Sequence, residues 1–204
     1  VVVVYNNHSS KNGCLYGKGT FINNTVCNNT GIEGRYAGCR VEGKVVNSVF
    51  WGNTAPNASN VNYVSSGNCT NSIADAGSGI TLGLAADNNA ADGPNFRNPT
   101  GFVGLPKTDV EKEAMRKADF SLTDASAKLL DQGTAEGAPA KDINGVERPK
   151  GNGIDIGAYE YDPNATIISV TGVSIVPTSI EIIEGRTGRP DRKSGSAGMP
   201  RPIS

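Results

Sequence analysis

Between residues 1 and 73 the chain alternates short apolar runs with asparagine-rich breaks, and the alternation is periodic. Asn23-Asn24-Thr25-Val26-Cys27-Asn28-Asn29-Thr30 recurs 24 residues later as Asn47-Ser48-Val49-Phe50-Trp51-Gly52-Asn53-Thr54, and again in part as Asn71-Ser72-Ile73. Upstream, Val3-Val4-Tyr5-Asn6-Asn7 matches Thr25-Val26-Cys27-Asn28-Asn29 at an offset of 22. Each copy is a short β-branched or aromatic strand closed by Asn and Gly turn residues. One such unit cannot bury its own apolar face, but copies stacked side by side can. The pattern therefore predicts an all-β parallel solenoid in which residues two dozen positions apart lie on top of one another.

Two successive coils read Gly13-Cys14-Leu15-Tyr16-Gly17-Lys18-Gly19-Thr20-Phe21-Ile22-Asn23 and Gly38-Cys39-Arg40-Val41-Glu42-Gly43-Lys44-Val45-Val46-Asn47. Each reads as a Gly-rich turn, a strand, a Gly-Lys turn and a second strand. Inward positions are expected to include Val4, Ile22, Val26, Val46, Phe50 and Ile73. Asn23, Asn47 and Asn71 fall in register, where stacked amides can hydrogen-bond above and below, and where asparagine tolerates left-handed backbone. They are expected to be structural rather than a ligand face. Val1-Val2-Val3-Val4 reads as a strand cut open, so the chain is expected to begin part-way through a coil.

Coils are assigned to residues 1–106, although the period fades after residue 73 despite a strand-like Ile80-Thr81-Leu82-Gly83-Leu84. Residues 107–118 are the one helical segment, with Asp109 as N-cap and a narrow stripe of Val110, Ala114 and Met115. A distinct block follows to residue 162. It contains Asp119-Phe120-Ser121-Leu122, then Ser126-Ala127-Lys128-Leu129-Leu130-Asp131-Gln132-Gly133, then Asp142-Ile143-Asn144-Gly145-Val146-Glu147-Arg148, then Asp155-Ile156-Gly157-Ala158-Tyr159-Glu160.

This block resembles the choice-of-anchor Q module found at the C-terminal end of bacterial surface β-helix proteins. The matching positions are Pro94, Phe96 and Pro99; Asp119, Phe120 and Leu122; Ser126, Leu130, Asp131 and Gly133; Asp142, Gly145 and Arg148; and the whole of Asp155–Glu160. Ala127-Lys128 and the helix before Asp119 depart from the pattern. The coils, with Asn-Ser-Val-Phe-Trp-Gly-Asn at 47–53, are similar to the pectin-lyase-like right-handed parallel β-helix. The resemblance implies such a β-helix, with residues 107–162 as an inserted helix and a capping module. It also implies an extracellular or outer-surface place on a bacterium, and polysaccharide or cell-surface glycan as the partner. Residues 163–185, including Val170-Thr171-Gly172-Val173-Ser174-Ile175-Val176-Pro177, resemble the opening of a bacterial Ig-like domain of group 2. Too few strands are present to close a sandwich.

Composition adds limits. Gly contributes 26 of 204 residues and hydrophobic residues 37%, which suits a thin solenoid core. The net charge is −1, so the whole chain makes no electrostatic case for nucleic acid. Residues 186–204 hold Arg186, Arg189, Arg192, Lys193 and Arg201 against one acid, Asp191, and read as a disordered basic tail. No apolar run is long enough to span a membrane, and a monomer is expected. With one histidine, His8, and no Cys-x-x-Cys pair, zinc is not expected. Cys14 and Cys39 follow Gly in matched turns, where either a disulfide or two stacked small residues is open. Cys27 aligns with Tyr5 and Trp51. Six Asn-x-Ser/Thr sequons begin at Asn7, Asn23, Asn28, Asn57, Asn68 and Asn164, as by-products of the repeat.

Candidate chemistry is sparse. Glu33 and Glu42 are the only acids in residues 1–73, so the coils carry no carboxylate cluster for calcium or for glycoside hydrolysis. No catalytic residue and no cofactor is expected. The rival reading is a polysaccharide lyase or hydrolase whose active site lies in coils outside this sequence. Tyr16, Tyr36, Trp51 and Tyr63 are the ligand candidates, because aromatic faces suit sugar rings; Tyr5 shares the strand position of Trp51. Asp142, Asn144, Arg148 and Asp155 form the main polar group. Asp142 and Asn144 offer a weak oxygen-rich turn for calcium. The favoured reading is structural, with Arg148 paired to Asp142 or Asp155.

Overall fold

The computed structural model describes residues 1–9, 13–31, 36–56, 61–65, 68–75 and 93–165. The Ile80–Leu84 strand, the Ig-like start from residue 166 onward and the basic tail lie outside the described residues.

Among the described residues, ten strands precede a single helix: β1 (Val3–Tyr5), β2 (His8–Ser9), β3 (Leu15–Ile22), β4 (Thr25–Cys27), β5 (Thr30–Gly31), β6 (Cys39–Val46), β7 (Val49–Trp51), β8 (Tyr63–Val64), β9 (Cys69–Thr70), β10 (Ile73–Ala74) and α1 (Asp109–Arg116). All pairing between the strands is parallel, in three sheets. A short sheet has the order β1-β4-β7-β10; β2 pairs with β5; and a long sheet has β3 beside β6, which pairs with β8 and β9. Register follows the repeat. Val3 pairs with Thr25, Thr25 with Val49 and Val49 with Ile73, while Leu15 pairs with Cys39 and Ile22 with Val46.

Residues in left-handed backbone flank the short strands, at both ends of β4 and β7, after β1 and before β10. Asn23, Asn47 and Asn71 precede them at φ of 53°, 49° and 43°, and Asn6, Asn28 and Gly52 follow them at 51°, 54° and 65°. Such a residue turns the chain sharply, and asparagine tolerates the conformation better than other residues with a Cβ. Beside these corners run buried polar ladders. Asn29 Nδ2 donates to Asn53 Oδ1 at 2.9 Å, and the Asn7 backbone N–H donates to Asn29 Oδ1 at 2.9 Å. On the other flank the Asn24 N–H donates to Ser48 Oγ and the Ser48 N–H to Ser72 Oγ. Buried polar groups are stable only when paired in this way.

The interior between the sheets is filled by Val26, Cys39, Val41, Val45, Phe50, Val64, Cys69 and Ala74, with Val4, Leu15 and Phe21 against them. This corrects the expected phase at three positions. Ile73 pairs with Val49 and faces out of the interior, and Ala74 is the inward residue of β10. Ile22 packs beside Gly137. Ile22 and Val46 have the opposite parity to the inward Phe21 and Val45. The Gly-Lys turns are also absent: β3 and β6 each run unbroken for eight residues. Gly19 stacks on Gly43 instead, so closely that a Cβ on Gly43 would overlap the Gly19 carbonyl oxygen. Cys39 aligns with Leu15 rather than Cys14, and all four cysteines are free.

The outer face of the short sheet is not exposed. Residues 93–161 lie along it as an irregular strap, and Phe120, Leu122, Leu129 and Ile156 bury themselves against Cys27, Val49 and Ile73. Each such side chain contributes about 1.5–3 kcal/mol. The strap is fixed laterally, across the strands of the short sheet. Asn6 Nδ2 donates to the carbonyls of Phe102 and Gly104, and Asn28 Nδ2 to Thr100. Asn23 Nδ2 donates to the carbonyls of Asp155 and Gly157, Asn47 Nδ2 to Thr134, and Asn71 Nδ2 to Gln132. Helix α1 is capped by Thr108, not Asp109, in a reciprocal box with Glu111, and it buries no residue. Asp119–Leu122 makes one antiparallel bridge, Asn98 to Asp119, rather than a strand. No helix among the described residues is long and apolar enough to cross a membrane.

Asn47 holds a corner and binds the strap through both side-chain ends, its Oδ1 accepting from the Thr134 N–H at 2.9 Å. Asn47→Ala is expected to lower stability by about 2–4 kcal/mol, from left-handed strain and lost hydrogen bonds. Asn47→Gly, which relieves the strain, is expected to cost about 1–3 kcal/mol. Urea unfolding of both variants checks the order.

Candidate functional site

Alternation along β3 and β6 sends Tyr16, Lys18, Thr20, Arg40, Glu42 and Lys44 to the opposite side from Leu15, Phe21, Cys39, Val41 and Val45, which fill the interior. Because the strands are parallel and in register, Tyr16 pairs with Arg40 and Arg40 with Tyr63. Tyr36, just before β6, joins them. The Arg40 guanidinium lies 5.7 Å from the centre of the Tyr16 ring and 5.8 Å from that of Tyr36, and the Tyr36 and Tyr63 rings are 5.6 Å apart. These distances are within cation–π and aromatic contact range. Tyr16 is 54% exposed. Arg40 Nη2 donates to Glu42 Oε1 at 2.9 Å, and Lys18 reaches Glu42 Oε2 at 3.4 Å. The result is an aromatic cluster with a planar donor group in its midst, bordered by a small charge network.

Three of the four ligand candidates thus meet. Trp51 does not join them. It stands in the Tyr5–Cys27–Trp51 column on the outer face of the short sheet, under the strap. Arg40 was not picked out in the sequence. Its signal was the 24-residue register with Tyr16, together with the strand parity that puts both outward.

The polar group in the strap is a buried network. The Arg148 and Glu160 side chains are 0% and 1% exposed and pair at 2.8 Å. Arg148 also donates to the carbonyls of Asp155 and Gly157. Its carboxylate partner is therefore Glu160, and not Asp142 or Asp155 as the sequence had indicated. Those two bind backbone instead. Asp142 Oδ1 accepts from the Asn144 and Val146 N–H groups and its Oδ2 from that of Glu160. Asp155 accepts from Asp131 and Tyr161. Both Asp142 oxygens are engaged, Asn144 is exposed, and among the described residues no group of three or more metal-ligating side chains forms around the pair. Burial raises the Asp155 and Glu160 carboxyls above the usual range, and burial lowers Arg148 despite its acidic neighbours. Glu160 depends on Arg148 for its counter-charge, and Asp142 and Asp155 lie close enough to feel the same cation.

Burial also makes the thiols unreactive. The Cys14 and Cys69 thiols are pushed up to about 11, and Cys27 and Cys39 rise further.

No protein-family model matches this chain, and no curated protein or solved structure matches it.

Arg148→Met is expected to cost about 3–5 kcal/mol, because it strands buried carboxylates. Glu160→Gln is expected to cost less, since burial already favours its neutral form. A carboxyl raised on folding binds its proton more tightly in the native state, so its contribution is full at low pH and is lost as pH rises through the folded value. The stability gap between wild type and Glu160→Gln should therefore narrow as pH rises, measured by urea unfolding across a pH series.

Proposed function

We propose that residues 1–75 form successive coils of a right-handed parallel β-helix, braced by the strap, in a secreted or cell-surface bacterial protein. The register of 22 to 24 residues in the described sheets supports the solenoid, and parallel crossover connections favour the right hand. The likeness of Asp155–Glu160 to the choice-of-anchor Q pattern supports the surface location.

The role proposed for the module is non-catalytic binding of polysaccharide or cell-surface glycan on the outer face of the long sheet. One observation carries this reading: Tyr16, Tyr36 and Tyr63 come from three separate stretches and gather around Arg40 at the surface. Tyrosine rings offer apolar surface to the C–H side of a sugar ring, and their hydroxyls offer hydrogen bonds at its rim. The Arg40–Glu42–Lys18 network adds fixed donors and acceptors beside them. Exposed tyrosine also presents this surface at low entropic cost, as binding surfaces in other proteins do.

Binding to an array of bacterial and plant polysaccharides tests the reading. Tyr16→Ala, at an exposed position, should weaken retention about 2- to 10-fold, equivalent to about 0.5–1.5 kcal/mol, without changing the unfolding midpoint. Tyr63→Ala should weaken it at least as much. Retention of no polysaccharide, or retention indifferent to both substitutions, rules the site out.

A further inference from the structure

Trp51 has a separate setting that the tyrosine face does not use. A half-open cavity of about 370 Å³ lies between the short sheet and the strap, lined by Cys27, Asn28, Trp51, Gly93–Phe96, Pro99, Thr100 and Phe120. Its size is at the low end for small-molecule sites, which fits one six-membered ring better than a chain of them. Trp51, Phe96 and Phe120 supply aromatic surface, and Phe96 and Phe120 meet edge to face at 5.4 Å. Gly93 in left-handed backbone lies close over the indole: a Cβ there would stand 3.3 Å from Trp51 Cζ2.

The polar groups are equally specific. Asn28 Nδ2 is held by Thr100, whose hydroxyl donates in turn to Asn6 Oδ1 at 2.6 Å. Asn95 Nδ2 donates to the Ala125 carbonyl at 3.1 Å. Both amides are thereby fixed through nitrogen. Among the described residues, nothing donates a hydrogen bond to either side-chain oxygen. No charged side chain is among the lining residues. A purely apolar ligand would leave these two amide oxygens without use, and a charged one would find no counter-ion among the lining residues. A neutral pyranose has the matching character, with an apolar C–H face for the indole and hydroxyl donors at its rim.

We infer that this cavity is a second ligand site, which takes a single neutral pyranose ring, free or as the end of a glycan, stacked on Trp51. The sugar class is shared with the proposed function, but none of the residues are, so each can fail alone.

Trp51 is the only tryptophan in the chain, so its fluorescence reports this cavity and nothing else. The probes are the methyl glycosides of glucose, galactose and mannose and free N-acetylglucosamine, with glucuronic acid as the charged comparison. At least one neutral probe should shift Trp51 emission saturably and protect it from acrylamide quenching, while glucuronic acid does neither. Tyr16→Ala should leave the effect unchanged. Asn95→Gly, which keeps left-handed backbone and removes the amide, should weaken it about 2- to 10-fold, with emission without sugar serving as the check that the cavity is intact. No response to any neutral probe, or an equal response to glucuronic acid, overturns the site. If polysaccharide is retained through Tyr16 while Trp51 stays silent, the cavity reading falls and the tyrosine face stands. If neutral sugars shift Trp51 and no polysaccharide is retained, the reverse holds.

Discussion

Left-handed backbone at the corners of the short sheet, held by asparagine at all the described corners but Gly52, is the constraint on which the rest depends. The backbone conformation turns the chain so that the next strand can lie over the last. The same conformation frees the side-chain amide to act outside the turn. Asn47 Nδ2 reaches both Asn23 Oδ1, one coil away, and the Thr134 carbonyl in the strap. Alanine would fill the space but would neither tolerate the φ nor make either bond. Glycine would tolerate the φ and make neither. Asparagine combines the two properties, whereas aspartate tolerates the φ but has no N–H to donate, which accounts for the asparagine-rich breaks in the sequence.

Much of this was legible because a parallel stack repeats itself. The pairing of Val3 with Thr25 and of Thr25 with Val49 could be read directly from the offsets of 22 and 24. Strand phase was harder. Ile73 looked like a core residue, and it is fully buried, but on the outer side of its strand. Alternation separates in from out only when one face meets water, and here the strap covers the second face. Cys14 and Cys39 looked equivalent because both follow glycine, yet backbone register and local resemblance differ by one residue. The strap itself has no period, so its partners could not be read from spacing. Arg148 was recognised as a tie, but Glu160 was not recognised as its mate, because nothing in a sequence distinguishes a carboxylate that binds backbone from one that binds a guanidinium.

The candidate surfaces divide along the same line. The tyrosine cluster draws on stacking alone: Tyr16, Arg40 and Tyr63 are brought together by register, and an outward position recurs wherever parity allows. The Trp51 cavity needs the strap, since seven of its ten lining residues come from residues 93–100 and 120. The first surface belongs to the repeat and the second to the join between repeat and strap. Substitutions within the strap should therefore reshape one and leave the other intact.

The lateral clamp also acts as a ruler. Gln132, Thr134 and the Asp155–Gly157 stretch each meet a corner amide beside a different strand of the short sheet, so the spacing along the strap is fitted to that of the strands. A plain solenoid can gain or lose a coil by duplication or deletion with little effect on the remainder. Here a duplicated repeat would place a corner amide opposite no carbonyl and leave an apolar strand uncovered. The strap thus holds the strands it covers to a matched spacing.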